Sequence, residues 1–128
     1  MKKRGVVLIT DPDPKSKERL YPFLQNEGYN VELTDRISEC ISTIQNKDIG
    51  VLVLDVEAPE MKWYEAIPII KGVNPSLSII ITSSQNTPEL EAQIRRQKVF
   101  YYHVKSFGIE ELELAVRNAL ERSGNKEE

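Results

Sequence analysis

One cysteine, one histidine and one tryptophan are all that 128 residues contain of those types. A lone Cys40 cannot close an intrachain disulfide, and it fits a reducing compartment. His103 has no second imidazole and only one thiol to join it, so a zinc site is unsupported. No Ser-His-Asp or Cys-His arrangement has its base nearby, and His103 reads as an edge-strand side chain hydrogen-bonded locally. The six glycines are scattered, so no glycine-rich phosphate loop exists. No apolar stretch approaches the ~20 residues that span a bilayer. The basic start, Met1-Lys2-Lys3-Arg4, precedes an apolar run too short for a signal peptide. There is no positive excess either. The formal net charge is −3, which argues against electrostatic capture of nucleic acid. The short run Arg95-Arg96-Gln97-Lys98 reads as a solvated helix end that suits the helix dipole. These absences describe a cytoplasmic protein with no direct nucleic-acid or membrane partner.

What is present is an alternation of apolar runs and helical stripes, the pattern of a parallel sheet covered on both faces. Strands are expected at 6–10, 30–33, 51–54, 79–82 and 99–104. Ile37, Cys40, Ile41 and Ile44 form one helical stripe, and Leu112, Ala115, Val116, Ala119 and Leu120 another. Asp13-Pro14 opens the first helix, with Leu20, Phe23 and Leu24 inward. Thr87-Pro88-Glu89 opens the fourth, which has only Leu90 and Ile94 as strong apolar positions and should pack shallowly. Pro22 and Pro68 fall inside the first and third helices, which should bend or start late. The expected architecture is a single α/β domain over 1–122, a doubly wound five-stranded sheet, followed by a polar, frayed tail at 123–128.

Four of the apolar runs end on residues with chemistry: Asp11, Asp55, Thr82 and Lys105. In a parallel sheet all four reach the carboxyl edge, where open α/β sheets hold their ligands. A carboxylate at a rigid strand end can attack a phosphoryl donor. The Lys105 ammonium suits phosphoryl oxygens, and Thr82 offers a hydroxyl. Each has a plainer interpretation alone: a strand-end acid capping a helix, a solvated lysine, an ordinary strand-end threonine. The ordered set is what carries weight.

That set, with Pro59 after Asp55 and with Tyr102 and Phe107 flanking Lys105, resembles the receiver domain of response regulators in two-component signalling. The resemblance covers essentially the whole chain. It implies a flavodoxin-like sheet of order 2-1-3-4-5. It implies that Asp55 accepts a phosphoryl group from a sensor histidine kinase or phosphotransfer protein docked near the first helix, assisted by Thr82 and Lys105. It implies Mg2+ on Asp11, Asp55 and the Glu57 backbone carbonyl. It also implies that Tyr102 takes part in switching the helix 4, strand 5, helix 5 surface, which can form a homodimer. Such a domain is no enzyme beyond assisting its own phosphoryl transfer and dephosphorylation.

Four positions depart from the family pattern. Pro12 replaces the second acid, leaving Asp13 as a possible substitute ligand. Ser106 replaces a proline with a cis peptide bond, so a trans bond is expected and Lys105 should shift. Trp63 replaces a glycine and should crowd the pocket beside the metal site. Ala58 replaces a methionine and should leave the loop after Asp55 less anchored. These departures keep open a phosphorylation-independent interaction module. The pair Asp11-x-Asp13 also resembles the nucleophile motif of haloacid-dehalogenase-type phosphatases, but Lys15 and the short chain fit that family poorly. The sequence leaves open whether an output domain accompanies the chain.

Overall fold

A computed structural model describes residues 5–127, with side chains described through residue 122. Five strands form one parallel sheet: β1 (Val6–Thr10), β2 (Asn30–Thr34), β3 (Val51–Asp55), β4 (Ser78–Ser83) and β5 (Tyr101–Val104). Their order is β2-β1-β3-β4-β5, as the resemblance to receiver domains implies. The helices between them are α1 (Pro14–Asn26), α2 (Ile37–Asn46), α3 (Trp63–Val73), α4 (Pro88–Arg96) and α5 (Ile109–Glu127).

The two-residue period of the strands divides the core into two layers. Leu8, Leu52, Leu54, Ile79 and Ile81 face α2, α3 and α4, where they meet Ile37, Cys40, Trp63, Ile67 and Ile94. Val7, Ile9, Val51, Val53 and Ile80 face α1 and α5, where they meet Leu20, Leu24, Leu112 and Val116. Residues alternating to both faces must all be apolar, which is why these strands read as unbroken Val/Ile/Leu runs. Each such side chain, fully buried, contributes about 1.5–3 kcal/mol. In α4 only Ile94 is buried, so this helix is the most lightly held, as its sequence implies.

Some details differ from expectation. α1 and α3 run through Pro22 and Pro68 without starting late. Both prolines sit on exposed positions, where water can satisfy the carbonyl each one frees. β5 begins at Tyr101 because Lys98 takes a left-handed conformation (φ 55) and the chain is still turning there. The backbone of 123–127, expected as a tail, continues α5. Residues 1–4, including Lys2, Lys3 and Arg4, and Glu128 lie outside the described residues.

Candidate functional site

The register brings the four chemical residues to one edge. Asp55 is the last residue of β3 and pairs with Thr82 on β4. Asp11 follows Thr10, which pairs with Leu54. Lys105 follows Val104 and opens a 3-10 turn, Lys105–Phe107. Gly108 (φ 111) then reverses the chain into α5, a conformation that costs glycine little and other residues more.

The side chains converge as the strand ends do. Lys105 Nζ lies 2.9 Å from Asp11 Oδ2 and 2.9 Å from Asp55 Oδ1. Thr82 Oγ1 donates to the same Asp55 oxygen at 2.9 Å. The Glu57 N–H donates to Asp55 Oδ2 at 2.9 Å. The Asp13 N–H donates to Asp11 Oδ1 at 2.9 Å. Every oxygen of the two carboxylates is therefore engaged. The carboxylates are almost fully buried, with side chains 6% and 2% exposed, while Lys105 is 22% exposed. No peptide bond among the described residues is cis. Lys105 reaches the site nonetheless, so the expected shift away from it does not occur.

Burial pushes the Asp11 carboxyl above its ordinary value, and the Asp55 charge adds to this; the Asp13 N–H and Lys105 pull it back only partly. Burial opposes the Lys105 ammonium, but its hydrogen bonds to Asp11 and Asp55 outweigh that, and its pKa is raised.

Asp13 does not join the cluster as a carboxylate. It is the N-cap of α1, accepting from the Lys15 N–H at 3.0 Å and from the Ser16 hydroxyl at 3.2 Å. Pro14 at the first helical position and the free amide donors of that turn favour this use. Its carboxylate is engaged at the helix start and makes no hydrogen bond to Asp11 or Asp55 among the described residues. Among the described residues, no three His, Cys, Asp or Glu side chains converge as a metal cluster.

His103 lies on the edge strand β5, as expected, but is not hydrogen-bonded at Nδ1 among the described residues. It is buried, 3% exposed. Alternation along β5 turns it toward α5 rather than to an open edge. With Asp11, Arg19, Thr82 and Lys105 it lines a cavity of about 50 Å³ between α1 and α5. Desolvation by burial lowers its pKa, with Glu111 opposing and the Lys105 charge adding to the shift.

Trp63 does not line that cavity. It lies 5% exposed in the core, on the stripe of α3 that continues through Ala66, Ile67 and Ile70. A bulky residue opening a helix on its inner face packs inward and leaves the site uncrowded. The loop after Asp55 is not loose either. Ala58 is buried, and its N–H bonds the Asp55 carbonyl. Glu60, at φ 87, accepts the Ser38 N–H at 2.8 Å and pairs with Arg36 at 3.7 Å. It thus caps α2, whose own N-cap residue, Arg36, makes no side-chain cap. Sequence reasoning missed this latch, since nothing in the local pattern links positions 36 and 60. Tyr102 is half-buried against the α2–α4 layer, and its hydroxyl donates to the Gln85 carbonyl at 2.9 Å.

A family model described as the response regulator receiver domain matches residues 7–117. The chain belongs to that family. It is a receiver domain of the two-component response regulators, a signalling domain and not a classical enzyme. Among curated relatives, the DNA-binding transcriptional regulator NtrC of Bradyrhizobium sp. (strain RP501 Parasponia) is 28% identical over 116 residues, covering 91% of this chain and 24% of that protein. The probable transcriptional regulatory protein TcrX of Mycobacterium tuberculosis is 28% identical over 118 residues, covering 92% of this chain and 50% of that protein. The chain thus spans a quarter to a half of the length of these relatives. Among solved structures, the signal receiver domain of an HD domain-containing protein from Pseudomonas fluorescens Pf-5 superposes with a TM-score of 0.89 at 20% identity, covering 99% of this chain and 94% of that one. A CheY-like receiver domain protein from Methanospirillum hungatei superposes at 0.86 and 20%, covering 95% and 98%. No helix among the described residues is long and apolar enough to cross a membrane.

Proposed function

We propose that this receiver domain is switched by phosphorylation of Asp55. The observation that carries this is the single hydrogen-bonded cluster of Asp55, Thr82, Lys105 and Asp11 at the strand ends. The donor is the phosphohistidine of a histidine kinase or phosphotransfer protein. An Asp55 oxygen attacks phosphorus, the P–N bond breaks, and the imidazole takes up a proton as it leaves. Phosphoryl transfer depends mainly on positioning and charge neutralisation. The Glu57 N–H and the Thr82 hydroxyl orient the carboxylate, and Lys105 supplies positive charge to the phosphoryl oxygens.

Receiver domains generally bind Mg2+ at their acidic pocket. Here Asp11 and Asp55 supply two buried carboxylates, which suits an ion that usually takes one or two and keeps several waters. Asp11, Asp55 and the Glu57 carbonyl would hold it, without Pro12 or the Asp13 side chain. The ion would neutralise charge on the transferred group. Because Lys105 bridges both carboxylates, it must yield one of them to such an ion.

The phosphoryl group would draw in the Thr82 hydroxyl. Tyr102, whose hydroxyl bonds the Gln85 carbonyl of the β4–α4 loop, and the lightly packed α4 would then shift, changing the α4-β5-α5 surface. The solved NtrC4 receiver is described as a beryllofluoride-activated dimer, and the corresponding face of this chain is the one we assign to a homodimer. The test is incorporation from a small phosphodonor such as acetyl phosphate. It should require Mg2+ and vanish in Asp55→Asn. A folded wild-type protein that takes up nothing under these conditions would leave a phosphorylation-independent docking module instead.

A further inference from the structure

The edge of the sheet opposite Asp55 carries a second cleft, of about 230 Å³. It lies between the end of α3, the loop into β4, the turn from α4 into β5, and α5. Three cations from three different elements line it: Lys71, Lys98 and Arg122. Among the described residues no acidic side chain lines it, and none of the three cations takes part in a salt bridge.

Two of the cations are held in place. Lys71 Nζ donates to the carbonyls of Gln97 at 2.8 Å and Lys98 at 3.3 Å. The Arg122 guanidinium sits 5.6 Å over the Phe100 ring, a favourable cation–π position. Lys98 is in the left-handed conformation (φ 55), which few non-glycine residues adopt. Two helix carboxyl ends, those of α3 and α4, point negative dipole at this region. Together they amount to about one charge, which Lys71 answers through its carbonyl contacts. Lys98 and Arg122 remain in excess. Ser78 also lines the cleft, which gives it a hydroxyl beside the cations.

We propose that this cleft binds a small phosphate-class oxyanion, either free or as a phosphomonoester. Lys98 and Arg122 would pair with its oxygens, and the Ser78 hydroxyl would donate to it. The site lies away from Asp55, so the proposal stands apart from phosphorylation at that residue.

Amide chemical shifts would be followed while inorganic phosphate, and separately phenyl phosphate, is added at constant ionic strength without Mg2+. Saturable shifts are expected at Ser76, Ser78, Lys98 and Phe100, with Lys105 and Thr82 unmoved. Tighter binding of phenyl phosphate would identify an ester as the ligand, and equal binding the oxyanion group itself. Lys98→Gln and Arg122→Gln, both at exposed positions, should each weaken binding about tenfold, the loss expected for one charge-assisted hydrogen bond. The spectra of both variants report that the fold is kept. Shifts that chloride reproduces at matched ionic strength, that persist unchanged in both variants, or that map to Lys105 would overturn the proposal. So would the lack of any saturable shift.

Discussion

Replacing Lys105 by methionine keeps most of the side-chain volume and removes only the ammonium. That ammonium sits 2.9 Å from each of two nearly buried carboxylates. Without it, Asp11 and Asp55 face each other with no counter-charge. Breaking a buried pair by deleting one partner typically costs about 3–5 kcal/mol, because the stranded charge stays buried. In a domain of this size that lowers Tm by on the order of 10 °C. The same deletion turns the site into a better cation site, since a divalent ion no longer displaces an ammonium. Mg2+ should therefore bind Lys105→Met at least about tenfold more tightly than the wild type. At ten times its Kd, it should restore about 1.4 kcal/mol. Urea melts followed by circular dichroism, with and without Mg2+, read both effects. A variant as stable as the wild type, or one that gains less from Mg2+ than the wild type does, would refute the bridging role given to Lys105.

Three further outcomes follow from the same structure. The raised Asp11 pKa has a pH signature: stability from this group is fully present below its unfolded value of 3.8 and is lost as pH rises through the higher folded value. Wild-type stability measured against Asp11→Asn should thus decline as pH climbs through the carboxylate range, and a difference that grows instead would contradict the burial of that charge. Cys40 is fully buried with its thiol pushed up to about 11, so the native protein should resist alkylation by iodoacetamide and react only on unfolding; rapid native labelling would contradict this. Amide hydrogen exchange should find α4, with Ile94 its one buried residue, the least protected of the five helices; protection in α4 equal to that of α2 would count against its role as a mobile element.

Much of this molecule is legible in the linear pattern because its strands are buried on both sides. Runs such as Val51–Leu54 and Ile79–Ile81 read as strands buried on both faces, while their order comes from the resemblance to receiver domains. Asp11, Asp55, Thr82 and Lys105 could be placed together because each ends such a run. What escaped depends on side-chain direction and on contacts across the chain. The family position of Trp63 suggests an indole crowding the pocket, but its helical stripe with Ala66, Ile67 and Ile70 decides where the indole goes. Asp13 touches Asp11 through its backbone N–H, while the helix start claims its carboxylate. The Glu60 cap on α2 joins residues with no common local signature. The burial of His103 follows from alternation in β5, which a single polar residue in an aromatic run obscured.

The most direct measurement is chemical trapping of the acyl phosphate. Protein treated with acetyl phosphate and Mg2+ would be reduced with borohydride, digested and mapped by mass spectrometry. The account predicts homoserine at position 55 and nowhere else, at a level that falls sharply in Lys105→Met and Thr82→Ala. Homoserine at Asp11 or Asp13, or none anywhere in protein shown to be folded, would contradict it.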